Sequence, residues 1–184
     1  MESLMLSNGY LSLYATANLV ALALVALAHR RPDLARWFFV TLFLGAGVLN
    51  GLLLRLDPRV YVDGYGPLAL LTPYRLFIGG VFARHTQPIV LAIALGQLAV
   101  GALLAGRRRL LQLGALGGGV FLLAIAPLGT GSTFPAPLLL LAALLVTVLR
   151  LTQQVTPAPG AHDTPGTKQR HAATRPSVRQ PGAR

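Results

Sequence analysis

Long uncharged stretches alternate with short clusters of arginine along this chain, and that alternation sets the reading. Residues 9–28 carry no charge and close on His29, Arg30 and Arg31. Residues 35–54 form a second apolar stretch, bounded by Pro32 and Asp33 before it and by Arg55, Asp57, Pro58 and Arg59 after it. Three more follow at 87–105, 110–128 and 136–153. At 1.5 Å per residue, about 20 residues cross the roughly 30 Å hydrocarbon layer. The pattern predicts an all-α membrane protein of about five transmembrane helices. Asp33 is expected to cap the second helix, and Pro88 to sit in the first turn of the third.

Between the second and third stretches the pattern breaks. Tyr61 to Pro67 and Thr72 to Tyr74 hold the Gly, Tyr and Pro residues of turns. Leu76 to Phe82 is apolar but too short to span, and Arg75, Arg84 and His85 bracket it. An interfacial or re-entrant helix is the expectation, with its arginines reaching the headgroups. A sixth span over 67–84 would put Arg84 within the membrane, at a cost of at least about 2.5 kcal/mol near the bilayer centre. The Ala26 and Ala28 spacing would suit signal cleavage, but the arginines follow the apolar run instead of preceding it, so 9–28 reads as a span. Residues 129–135 read as a short turn. Residues 155–184, rich in Pro, Gly, Thr, Ala and Arg, cannot bury a core and read as a disordered basic tail.

Composition agrees. Of 184 residues, 54% are hydrophobic and 11% charged, with a mean hydropathy of +0.62. The net charge of +11 does not point to nucleic acid, because the arginines are scattered over loops and tail without aromatic interleaving. Instead it orients the chain. With five spans, Arg30, Arg31, Arg36, Arg107, Arg108, Arg109, Arg150 and the tail cations share one side, against Arg55, Arg59, Arg75 and Arg84 on the other. The positive-inside rule then places the N-terminus outside and the C-terminus in the cytoplasm. The preference for Arg over Lys, with abundant Ala, Gly, Leu and Pro, points to a GC-rich bacterial genome and hence to a bacterial cytoplasmic (inner) membrane. The five cations of the tail, set against Asp163, would suit anionic inner-leaflet lipid.

Candidate chemistry is sparse. The chain has no cysteine, which excludes disulfides and Cys-ligated metals within it. His85 has no second ligand at metal-binding spacing, so no metal site is expected. Nucleotide-binding and hydrolase motifs have no competent context. The spans hold no Asp or Glu, which argues against a proton-coupled pump. Asn18, Asn50, Gln97 and Gln112 are the polar side chains in or near the spans. Among them Gln97 and Asn50 lie where helices pack and are candidates for a bond between helices or for a ligand contact, for example to a quinone carbonyl. Arg84 and His85 are candidates for an anionic or proton-carrying contact. Gly47 with Gly51, and Gly114 with Gly118, are spaced for close helix packing within the chain or in a homodimer. Arg84, His85, Asp57 and Asp63 form the one cluster on which a membrane enzyme could rest.

From about Phe38 to Leu151 the chain resembles the DoxX-like group of small bacterial membrane proteins. The resemblance lies in a first core helix closing on Gly45-Ala-Gly-Val-Leu-Asn50 and a Pro- and Tyr-containing connection. A helix reading Gln97-Leu-Ala-Val-Gly101-Ala-Leu-Leu-Ala-Gly106-Arg107 follows, and then two apolar helices. The resemblance implies that the last four spans form a four-helix bundle, with the first span an addition. It also implies a non-catalytic subunit or accessory role beside a membrane or redox partner, with quinone as the cofactor to consider. Many relatives carry Glu where Gln97 stands; Gln cannot ionise, which argues against a proton-handling role at this position. The alternative reading is a small transporter or channel component with a path lined by Asn18, Asn50 and Gln97.

Overall fold

In the computed structural model residues 2–65 and 68–153 are described, with side chains from Leu11 onward. Each long apolar stretch is helical, because in lipid a segment must satisfy its own backbone N–H and C=O groups. The described α-helices are α1 (Glu2–Arg30), α2 (Pro32–Leu56), α3 (Val60–Tyr65), α4 (Thr72–Phe77), α5 (Thr86–Leu104), α6 (Arg108–Ile125) and α7 (Ala136–Gln153). A π-helical stretch covers Ile78–Phe82 and a 3-10 stretch Ala126–Ser132. No strand occurs among the described residues. Among the described residues five helices are long and apolar enough to cross a membrane: α1 from Leu11, α2, α5, α6 with its extension to Ser132, and α7. Large apolar side chains such as Leu19, Leu49, Leu95, Leu116 and Val120 are exposed on them, as a lipid-facing surface requires. The chain is thus built as a multi-pass membrane protein. The expected basic tail, 155–184, lies outside the described residues.

Local chemistry shifts two expected details. Pro32 occupies the first turn of α2, where its fixed φ already suits a helix. The helix therefore starts before the expected position. Arg31 is its N-cap, without a side-chain cap, and Asp33 lies inside the first turn instead of capping it. There its charge still meets the positive end of the helix dipole. The Tyr61 and Thr72 clusters, expected as turns, instead form α3 and α4. From Thr72 to Arg84 the chain stays helical, and the π-helical stretch widens its middle.

The helices follow a ring of neighbours: α2 packs on α5, α5 on α6, α6 on α7 and α7 back on α2, with α1 lying against α7 and α2. Close approach in the ring depends on glycine. A Cβ at Gly47 of α2 would lie 2.8 Å from the Ala94 carbonyl oxygen of α5, and one at Gly101 of α5 would lie 2.7 Å from Leu44. Arg36, near the start of α2, crosses to the end of α5. It donates from Nε to the Leu104 carbonyl at 2.7 Å and from Nη2 to that of Gly106. These carbonyls have no partner within the helix. This arginine end of the molecule is densely filled by Phe39, Phe43, Leu104, Leu111, Ala115, Ala143 and Leu144.

The opposite end is made differently. A second apolar cluster there gathers Tyr61, Ala69, Ile78, Phe82 and Val90. The connection before α5 is tied to the end of α6 and the stretch after it, by the Tyr74 hydroxyl donating to the Ala124 carbonyl at 2.9 Å and by Leu70 N–H donating to that of Pro127 at 2.9 Å. Gly129 makes the junction. Its φ of 65° suits glycine, and a Cβ there would lie 2.8 Å from the Leu68 carbonyl oxygen.

Candidate functional site

A cavity of about 750 Å³ separates the two apolar clusters. All four helices of the ring contribute to its wall, and α3, α4, the π-helical and the 3-10 stretches line the rest of this half-open hollow. Phe43 and Leu122 belong to the cluster of the arginine end, and Ile78, Phe82 and Val90 to the other. Such a volume falls in the range of about 300–1,000 Å³ typical of small-molecule sites.

A hydrogen-bonded group of three side chains breaks the mainly apolar wall, which also carries the hydroxyls of Tyr65, Tyr74 and Ser132. Asn50 on α2 donates from Nδ2 to Gln97 Oε1 on α5 at 2.7 Å. The Tyr61 hydroxyl, from α3, lies 2.9 Å from Asn50 Oδ1 and 3.0 Å from the Asn50 carbonyl oxygen. All three residues line the cavity, and Gln97 is only 4% exposed. The local sequence explains the meeting. Gly47 lets α2 approach α5 to backbone contact, one turn from Asn50, and Ala94 and Gly101 flank Gln97 on the facing helix. Two amides that would be costly to bury alone in an apolar medium then satisfy one another. Tyr65 stacks on Tyr61 with ring centroids 6.4 Å apart. Burial, and secondarily the charge that Tyr65 can carry, pushes the Tyr61 hydroxyl up from its ordinary pKa, so it stays a neutral donor at physiological pH.

Among the described residues the cavity wall holds no Lys, Arg, His, Asp or Glu. It can bind, orient and exclude water by hydrogen bonds and apolar contact, but it offers no charged acid or base.

Of the other expected site residues, Arg84 and His85 stand apart from this cavity. Both are exposed. Arg84 donates to the Gly80 carbonyl at 3.3 Å, and His85 Nδ1 lies 3.1 Å from that of Val81. Arg84 lines a second, polar cleft of about 660 Å³ with Arg59 and Asp63. Asp57 accepts from the Arg59 N–H at 3.1 Å in a local turn. Among the described residues no group of three or more His, Asp or Glu side chains is placed to hold a metal ion. Asn18 donates to the carbonyls of Tyr14 and Thr133, at 3.0 and 3.1 Å, and is not on the cavity wall. Gln112 is exposed on α6.

The glycines divide. A Cβ on Gly114 would lie 2.8 Å from Leu104 N, and one on Gly118 would lie 3.1 Å from Phe43 Cζ, so both face neighbouring helices of the same chain. A Cβ on Gly51 would meet nothing within 4 Å. Tyr61 joins the amides although the sequence marks it only as part of a turn cluster. Its spacing from Tyr65, one helical turn, was the available signal. Comparison of the chain with protein-family models, curated proteins and solved structures returned no match.

Proposed function

We propose that this chain is a non-catalytic membrane subunit or accessory protein of the DoxX-like type, which holds a small lipid-phase molecule for a partner in the same membrane. The observation that carries the reading is the Tyr61–Asn50–Gln97 group set in the wall of a mainly apolar cavity between helices. In this reading α2, α5, α6 and α7 form a four-helix bundle with α1 added outside, which is supported by the order in which the helices touch. Residues 72–84 lie as an interfacial or re-entrant piece over the hollow end. The arginine end faces the cytoplasm of a bacterial cell.

A quinone fits the reading, since a quinone carbonyl is an uncharged acceptor and the amide pair supplies uncharged donors. The link to a quinone-dependent redox system rests on the resemblance. The transporter alternative draws less support, because Asn18 lies off the cavity that Asn50 and Gln97 share.

The test is extraction of the intact chain into lipid nanodiscs without added ligand, followed by native mass spectrometry and crosslinking in the native membrane. The expected result is a co-purifying lipid-phase molecule, depleted when Ile93→Trp fills the cavity, and a crosslinked membrane partner. A chain that carries nothing and crosslinks to nothing overturns the reading.

A further inference from the structure

We infer that the cavity selects an uncharged lipid with a carbonyl or hydroxyl head on a single hydrocarbon tail, read by the Asn50–Gln97 amide pair. The inference rests on the cavity being a ligand site and adds the chemical class of its occupant.

The first ground is charge. No formal charge among the described residues lines the cavity, so an ionised head would lose its hydration and find no counter-ion there. The second is the accounting of hydrogens. The Tyr74 hydroxyl is committed to the Ala124 carbonyl and the Ser132 hydroxyl to that of Gly129 at 3.0 Å, while the hydroxyl of the half-exposed Tyr65 adds a second uncharged donor to the wall. The Tyr61 proton goes to Asn50, and one Asn50 N–H goes to Gln97 Oε1. The Gln97 Nε2 group then carries two donors that no described side chain or carbonyl takes up, on a residue 96% buried in the cavity wall. A ligand oxygen is the partner that this donor lacks.

The third ground is the symmetry of the amides. A half-turn of both side chains exchanges their N and O positions and keeps them joined, with Gln97 now donating to Asn50. Tyr61 tolerates the change, because its proton can move to the Asn50 carbonyl oxygen, 3.0 Å away, while its oxygen accepts from Asn50 Nδ2. Gln97 then presents a carbonyl in place of the NH₂. The pair therefore offers a donor to a ketone-like head and an acceptor to a hydroxyl, without any change in charge. The tail follows from size, since the cavity suits one head and one chain and its remaining wall is mainly apolar.

The test uses the whole chain in nanodiscs and four probes of one chain length: a methyl ketone, the alcohol made by reducing it, an alkyl sulfonate and an alkyl trimethylammonium. Affinities are corrected for partition into protein-free nanodiscs. Ketone and alcohol are expected to bind within about threefold of each other, and both ions at least about tenfold more weakly. Gln97→Met should weaken both neutral probes by about tenfold. Ile93→Trp, which fills the cavity while both amides remain in the chain, should weaken them too and guards against a misfolded Gln97 variant. An ion that binds as tightly as the ketone overturns the selection for an uncharged head. A split of more than about tenfold between ketone and alcohol overturns the two-way amide pair. If none of the four probes binds, the cavity is not a ligand site, and the proposed function fails with it.

Discussion

Asn50 is the middle member of a three-residue relay, and its neighbours depend on it. Removing its side chain strands the Gln97 carbonyl and leaves the Tyr61 hydroxyl with one acceptor in place of two. In membranes such pairs are worth about 0.6 kcal/mol on average and up to about 1.7, because the unfolded chain finds other partners. Asn50→Ala and Gln97→Ala should therefore couple by about 0.6–1.7 kcal/mol in a double-mutant cycle of unfolding in mixed micelles. Additivity within about 0.3 kcal/mol would show that the two amides do not support one another. Tyr61 adds a pH signature. Its pKa is raised in the folded protein, so its contribution to stability is fully present below the unfolded value near 10 and is lost as pH rises through the folded value. Stability of the wild type minus that of Tyr61→Phe should be flat from about pH 6 to 9 and shrink above about pH 10. A difference that changes between pH 6 and 9 would assign the titration to another group. At this scale the sequence showed its amides, because a carboxamide among small residues in an apolar run needs a partner. It could not show that they are each other's partners, since α2 and α5 meet only through a long connection. Tyr61 was hidden for a similar reason: an aromatic near a span end also suits the membrane interface.

Among the elements, α2 shows how much a small-residue pair can conceal. Gly47 and Gly51 share one helix face, but only Gly47 meets α5 at backbone distance, while Gly51 faces open space. The same substitution should therefore have opposite signs at the two sites. Gly47→Ala must push Ala94 or Leu98 aside and should destabilise by about 1–3 kcal/mol. Gly51→Ala meets no atom and should stabilise by about 0.5–1 kcal/mol through helix propensity alone. Thermal unfolding of both variants in one detergent checks the pair, and equal shifts of one sign would refute it. Length and hydropathy made the five long helices legible, because the bilayer thickness imposes a length that no packing detail overrides. The short α3 and α4 were not legible. Six residues give too little period to separate a helix from a turn, and their Gly, Pro and Tyr content favours the turn reading. The reach of Arg36 to the end of α5 was equally invisible, since charge placement tells on which side an arginine lies and not which carbonyl it meets.

The whole molecule has two unlike ends, and the difference bears on its sidedness. At one end single-residue and short connections bring the arginines together over a filled core; at the other, short helices line a cavity. Insertion is governed by the first of these features, because Lys and Arg near span ends resist translocation. Seven arginines, Arg30, Arg31, Arg36, Arg107, Arg108, Arg109 and Arg150, flank the spans at the filled end, against Arg55, Arg59, Arg75 and Arg84 at the hollow one. The filled end should face the cytoplasm, which would put the end with the short helices on the outer side. The absence of cysteine makes the test direct, since each introduced thiol is the only one in the chain. Pro58→Cys should react with an impermeant maleimide on intact cells, and Ala105→Cys, exposed beside the arginine triplet, only after permeabilisation. The reverse pattern would keep the helices and the cavity but invert them. Any partner or ligand supply would then have to reach the hollow end from the cytoplasm.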